Sequence, residues 1–459
     1  MSDTLILIIM SLGLYSTGIL LYSVLIGPFW KKHDVLITLP VSWVLGNGFW
    51  MLILLGLAGS NLLSLITVDR VLAISAILTL TALFFVLRMM RMVPLLIIAL
   101  TVFILWPVIE HASHSYLIEW DAIAMWFLKA KSWYLSSGMH DNTLYTSSRY
   151  LYSERSHAIG VPLMISVFYR SIGHVNDQIA QLYLVQYYVL LTIALLGFLK
   201  KRSTTSLSWF SLWPLVLFFM ISPTYIRFAA SGYLDITIAL VIACVTGLWL
   251  TLYATADRKE SLRLALLTIV VGATACFIKN EGTVVTGLAG LATLAVYLFK
   301  YRRLTSWEWV GLITAGVYAV LGIALWRYIQ QTYGIAIYLG QNIQAATMLA
   351  RIKPILFHYL DTLYNTSGFG MGLVVLFIVM ITTITISVMR RTWHHLTAYG
   401  IPLILLLSYT GVYLITPLNF SLQLTSSFER LVLQLIPALI LSTGYVLRNL
   451  TPPQHDLAN

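Results

Sequence analysis

The chain has 459 residues, of which 59% are hydrophobic and only 10% charged. Roughly 25% charged residues is usual for a soluble domain, so the composition excludes one and points to a polytopic membrane protein. The formal charge of +11 comes from short basic clusters between apolar runs, the pattern of cytoplasmic loops rather than of a nucleic-acid-binding face.

In chain order, Met1-Ser-Asp-Thr lacks the basic region of a cleaved signal, and the apolar run after it is long enough for a retained first helix. Runs of spanning length fall at 4–26, 35–58, 69–88, 92–109, 177–199, 207–225, 232–254, 262–278, 282–299, 307–329, 371–389, 396–416 and 428–447, which makes about 13 crossings. The basic clusters Lys31-Lys32, Arg88 with Arg91, Lys200-Lys201-Arg202, Arg258-Lys259 with Arg263, Lys300 with Arg302-Arg303, Arg390-Arg391 and Arg448 all become cytoplasmic if the N-terminus lies outside. This holds provided that 158–172 does not cross. That segment is short and carries Pro162, which suits an interfacial or re-entrant helix. Cys244 and Cys276 lie inside expected spans without metal-ligand spacing and read as small buried apolar residues. No internal repeat or broken helix is visible, and the tail around Pro452-Pro453 is expected to be a disordered cytoplasmic end.

The stretch from Glu110 to His157 concentrates the polar groups: Glu119, Asp121, Lys129, Lys131, His140, Asp141, Arg149, Glu154, Arg155 and His157. Within it, 118–134 predicts a helix with acids at its start and lysines near its end, an order that suits the helix dipole. Too charged to span, it is expected in the headgroup layer, with Trp120, Trp126 and Trp133 as interface anchors and Asp121 at the water–lipid boundary.

Four further polar features fall on the same expected side: Arg227 to Asp235, Lys279-Asn-Glu281, and the segments 330–370 and 417–430. Asp121, between Trp120 and the apolar run 122–128, reads either as a partly desolvated base or as a helix-starting acid. Asp235 opens a span behind Arg227 and Ser231-Gly-Tyr233, and reads as a site carboxylate or as a cap. Lys279-Asn-Glu-Gly282 joins two spans with almost no connector. A tight turn needs its glycine but not its ion pair, so a phosphate-binding lysine competes with a snorkelling one. Glu429 and Arg430 sit at the outer end of the last expected span, where an arginine either anchors the helix or grips phosphate through its planar fork. His111 with His114, and His394 with His395, lack a third ligand and make no convincing metal site. No glycine-rich phosphate loop or nucleophile elbow occurs.

Taken together, these motifs resemble the C-type membrane glycosyltransferases, specifically the bacterial relatives of protein O-mannosyltransferases and of the lipid A aminoarabinose transferase. Glu119-Trp-Asp-Ala-Ile-Ala-Met-Trp-Phe-Leu-Lys-Ala-Lys131 is similar to that family's first-outer-loop motif, and Ser156-His-Ala-Ile-Gly-Val-Pro-Leu-Met164 to its juxtamembrane segment. Gly232-Tyr-Leu-Asp235 followed by Phe277-Ile-Lys-Asn-Glu-Gly282 resembles its paired aspartate and lysine signature, and Phe428-Glu-Arg430 to Pro437 its late helix. The chain departs from the family in four ways: four spans rather than one precede the loop, no soluble C-terminal domain follows, Ala122 stands where a second acid is usual, and Asn280-Glu281 follows the lysine.

The apolar runs and the resemblance together lead to the expectation of an all-α polytopic membrane protein with about 13 transmembrane helices and an extracytoplasmic loop of juxtamembrane helices. Residues 1–91 would be extra N-terminal spans, 92–330 the glycosyltransferase-like module with first outer loop 110–176, and 331–459 C-terminal spans and outer loops. The resemblance implies an enzyme of the plasma membrane that transfers a sugar from a polyprenyl-phosphate donor to a lipid, glycan or protein acceptor with inversion, while the basic clusters set the N-terminus outside and the C-terminus in the cytoplasm. Asp121 would be its base. Lys279, Arg430, Arg227, Arg149 and Arg155 would neutralise the donor phosphate, with Asp235, Glu281 and Glu119 as supporting acids and His157 beside them. Membrane lipids are expected partners and nucleic acid is not; no cofactor is assigned, and a divalent cation is left open. Two other readings use the same charges: a transporter or flippase for a lipid or amphiphile, and a non-catalytic subunit of a membrane complex.

Overall fold

The computed structural model describes residues 2–27, 34–89, 92–201, 213–335, 345–364, 366–416 and 419–450, and these contain helices and no strand. The first four helices are α1 (Asp3–Ile26), α2 (Val35–Gly59), α3 (Val68–Met89) and α4 (Met92–His114). The expected outer loop follows as a π-helical turn, Ala122–Phe127, running into α5 (Leu128–Leu135), then α6 (Thr143–Thr146), a 3-10 turn at Ser148–Ser153 and α7 (Gly160–Ile172). Next come α8 (Asp177–Lys201), α9 (Trp213–Met220), α10 (Pro223–Ala230), α11 (Asp235–Ala254), α12 (Arg258–Ala273), α13 (Ala275–Ile278), α14 (Gly282–Lys300) and α15 (Ser306–Thr332). The last part holds α16 (Ala345–Tyr364), α17 (Thr366–Phe369), α18 (Gly372–Met389), a 3-10 segment at Trp393–Tyr399, α19 (Gly400–Ile415) and α20 (Phe420–Leu450).

Among the described residues, 11 helical stretches are long and apolar enough to cross a membrane, or up to 12 if α9 and α10 count as one span. The apolar run at 69–88 corresponds to α3, which carries Asp69 in its first turn. This is a multi-pass membrane protein. Helix α11 is its axis: 94% of its most apolar window is buried, and it packs against α8, α12, α14 and α20. Helices α1 and α2 cross at small residues, since a Cβ on Gly18 would lie 1.7 Å from the Ser42 carbonyl oxygen, the close backbone approach that membrane helices use. The outer helices turn apolar side chains outward, as at Ile313, Val317 and Val320 of α15, the surface expected to face acyl chains.

Ion pairs and caps gather the expected cytoplasmic residues at one end of the bundle. Asp34 caps α2 and binds Lys200 at 2.7 Å. Thr305 and Glu308 form a capping box, and Glu308 also receives Arg258 at 2.6 Å and the Tyr297 hydroxyl at 2.7 Å. Arg263 reaches the Leu25 carbonyl, and Arg390 that of Leu450. Of the basic clusters, Lys31-Lys32, Arg91 and Arg202 lie outside the described residues, as does the 451–459 tail.

Four expectations change. The run at 207–225, described from residue 213, is not one straight span: α9 and α10 meet at a 56° bend, because Ser222 is extended before Pro223, which has no amide hydrogen and suits a helix's first turn. Trp126 and Trp133 are not interface anchors; both are fully buried, and of the three only Trp120 is exposed. The last helix begins at Phe420 rather than 428, so Arg430 lies about 15 Å along it rather than at its tip. Finally, the segment 330–370, to which no element had been assigned, contains the 20-residue helix α16. The 13 residues of α7 extend only about 20 Å, short of a crossing.

Candidate functional site: a chain of alternating charges

Three tight backbone features bring distant charges together. Gly232 adopts φ +79°, a left-handed turn open to glycine at little cost, and it delivers Tyr233 and then Asp235 at the first position of α11. Asp235 does not cap its own helix; its carboxylate accepts from three tertiary donors, Lys279 Nζ at 3.0 Å, Gln434 Nε2 at 2.7 Å and Arg430 Nε at 3.1 Å. Gly282 closes the turn after α13. A Cβ there would lie 1.8 Å from the Ala275 carbonyl oxygen, so only glycine lets the chain reverse this sharply and leave Lys279 pointing at Asp235. The π-helical turn begins directly after Asp121, a distortion that recurs at functional sites.

Asp121 also makes no cap. Its Oδ2 receives Arg430 Nη1 at 2.5 Å, while Lys279 lies 3.8 Å from Glu281 Oε1. The result is a continuous series, Asp121–Arg430–Asp235–Lys279–Glu281, of three carboxylates and two cations with a net charge of −1. Burial is graded along it. Asp235 and Lys279 side chains are 0% and 3% exposed, Arg430 is 11% exposed and Asp121 23%. Arg430 also lies over the Tyr233 ring, 4.5 Å from its centroid, a cation–π contact that adds to its fixation.

The other expected residues flank this series. Glu119 Oε1 receives Arg227 through Nε at 2.9 Å and Nη2 at 2.7 Å, and its Oε2 the Tyr233 hydroxyl at 3.4 Å. His157 Nε2 pairs with Glu154 Oε2 at 2.5 Å, with Trp126 edge-on to its ring. The two guanidinium groups of the loop differ. Arg155 donates to the backbone carbonyls of Tyr145 and Ser147, which makes it a loop fastener, while the exposed Arg149 side chain makes no hydrogen bond or ion pair among the described residues. Glu429, next to Arg430, accepts from the Thr224 hydroxyl at 2.5 Å. Among the described residues, no group of three or more His, Cys, Asp and Glu side chains stands in a metal-holding arrangement.

Sequence reading missed four contributors. Gln434 was legible, since it follows Arg430 by one helical turn and so shares its face. Tyr233 sat in a quoted motif without a role. Glu154 and Lys129 were noted only as polar. Glu154 holds a left-handed conformation at φ +44°, uncommon for a side-chain-bearing residue. Its backbone oxygen receives Lys129 Nζ at 2.9 Å, and that ammonium lies 5.4 Å from the Trp126 ring centroid. The hydrogen bond from His157 holds the Glu154 carboxyl below its ordinary pKa. Burial opposes the charged form of Glu281, but Lys279 and His157 outweigh it, so its pKa too lies below the glutamate norm.

Burial pushes the Lys129 ammonium down to about 7, with the Glu154 charge only partly opposing it. Its unfolded pKa is near 10.4, so between pH 7 and about 10 the unfolded chain binds the extra proton. Stability contributed by this group therefore rises with pH across that window. Melting the purified protein from pH 6.5 to 9.5 is expected to show the rise, and Lys129→Met to flatten it. An unchanged slope in a folded Lys129→Met would exclude Lys129 as its source.

Compared with family models, with curated proteins and with solved structures, the chain matches none.

Proposed function

We propose that the protein is a membrane glycosyltransferase that takes a sugar from a polyprenyl-phosphate donor at the extracytoplasmic face of the plasma membrane. The observation that carries this reading is the meeting of one partly exposed carboxylate, Asp121, with two cations, the mostly buried Arg430 and the buried Lys279, at one end of a membrane bundle. The resemblance of the four motifs to C-type glycosyltransferases supports it, because those motifs are the segments that converge. The acceptor hydroxyl attacks the anomeric carbon and its proton passes to Asp121. The bond from that carbon to the phosphate oxygen breaks, and polyprenyl phosphate leaves with the electron pair. Arg430 and Lys279 stabilise the departing phosphate, so a single base suffices without the general acid of glycoside hydrolysis. Asp235 orients both cations, while Glu119 holds Arg227 at the rim.

The test incubates purified protein with a panel of polyprenyl-phosphate sugars and scores transfer or slow donor hydrolysis. Inactivity on every donor, with Arg430→Ala and Lys279→Ala binding donor as well as wild type does, would remove the reading. One observation favours a transporter instead: the bent pair α9 and α10 is the kind of broken helix transporters use. Lipid movement across vesicles without sugar transfer would select that alternative.

The orientation has its own test. Cys244 and Cys276 are buried, so a cysteine placed at exposed Arg302 or Ser148 reports alone. A membrane-impermeant thiol reagent added to intact cells is expected to label Ser148→Cys strongly and Arg302→Cys only after permeabilisation. The reverse pattern would invert the topology and put the site in the cytoplasm.

A further inference from the structure

We propose that the donor phosphate takes the place of Asp121 on Arg430, so that the base is released only once the donor has bound. This rests on the glycosyl-transfer reading above and adds an order of events to it. The charges favour such an exchange, because the alternating series carries a net −1 and an anionic phosphate that joins it without displacing a carboxylate adds like-charge repulsion.

The geometry selects which carboxylate yields. Asp235 is 0% exposed and held by three donors, so moving it would strand a buried charge. Glu281 contacts Lys279 only at 3.8 Å, too long for a strong hydrogen bond, and it blocks no donor of Arg430. Asp121 is 23% exposed and, among the described residues, held by Arg430 Nη1 alone. Of the two acids on Arg430, it is the one that can leave without breaking the buried pair.

Arg430 is built to stay behind. Its Nε remains on Asp235 at 3.1 Å and its guanidinium over Tyr233, leaving Nη1 and Nη2 to meet phosphate oxygens as a fork. While Arg430 Nη1 sits on Asp121 Oδ2 at 2.5 Å, that oxygen is occupied and turned away from an acceptor hydroxyl. Release by the phosphate frees it beside the sugar that the phosphate carries. Acceptor activation is thereby tied to the presence of a donor.

Equilibrium binding of a polyprenyl monophosphate, which carries no sugar and cannot turn over, tests the exchange with full-length protein in lipid nanodiscs. Asp121→Ala removes the competitor and Asp121→Asn leaves only a neutral, weaker one, so Asp121→Ala is expected to bind the probe about ten- to a hundredfold tighter than wild type, the worth of one charged hydrogen bond, and Asp121→Asn tighter by a smaller factor. Lys279→Ala moves affinity the other way. Inorganic phosphate and unphosphorylated polyprenol run as parallel arms to separate the headgroup's contribution from the chain's. Equal or weaker binding in both folded Asp121 variants, with Lys279→Ala still weakened, overturns the exchange and leaves the glycosyl-transfer reading standing. Equal binding of polyprenol and polyprenyl phosphate by every variant overturns the reading itself, and the exchange with it.

Discussion

Asp121→Asn lowers sugar transfer by a factor of about 10²–10⁴, the usual worth of a positioned base, while the protein stays folded and still binds donor. The amide keeps the shape of the carboxylate and can still accept from Arg430 Nη1, which now bonds at 2.5 Å, so the local structure survives. What it loses is the ability to take the acceptor's proton. The split between turnover and binding separates this role from an ordinary ion-pair partner, whose removal disturbs folding first and chemistry only through it. Donor hydrolysis by water, scored in the same reactions, should fall in parallel, since water is then the acceptor that needs deprotonation. A folded Asp121→Asn with wild-type turnover on a donor that the wild type uses would end the assignment.

Much of the fold was legible because the bilayer makes an apolar run of spanning length nearly synonymous with a helix. The runs that became α1, α2, α8, α11, α12 and α14 needed nothing more. The failures trace to features that hydropathy averages away. Ser222-Pro223 inside an apolar window broke the span there into α9 and α10. A helix with acids, lysines and three tryptophans reads as interfacial when the lid of loop above it is not yet known. With that loop in place, Trp126 and Trp133 are core.

The candidate site was legible as a set of residues and not as a circuit. Sequence order put Asp121, Asp235, Lys279 and Arg430 at span ends on one expected side, and they do meet. It gave no sign that one arginine would join two of the acids, because that depends on α20 starting at Phe420 and carrying Arg430 inward past Tyr233. Nor could composition distinguish Arg155, spent on loop carbonyls, from Arg149, which is exposed and without a partner among the described residues. Both looked like phosphate ligands in the sequence.

The buried part of the series makes the second large prediction, which holds whatever the protein's activity. Lys279→Met removes a cation and takes the series from −1 to a net charge of −2, leaving the fully buried Asp235 with only Arg430 and Gln434. Breaking a buried pair from one side costs about 3–5 kcal/mol, and the two remaining donors put this loss near the lower value. Asp235→Asn goes the other way in charge. It leaves Lys279 close to Glu281 and Arg430 on Asp121, so it destabilises less. The double variant Lys279→Met, Asp235→Asn restores the net −1 with no charge at either buried position, so it should melt well above Lys279→Met alone. Thermal unfolding of the three purified variants in one detergent measures this. The decisive quantity is the interaction between the two substitutions, because residues that share a buried pair depart from additivity by about 0.5–3 kcal/mol. Losses in the double variant equal to the sum of the single losses would show that Lys279 and Asp235 act independently, and the series would then be a coincidence of proximity rather than the element that ties α11, α14 and α20 together.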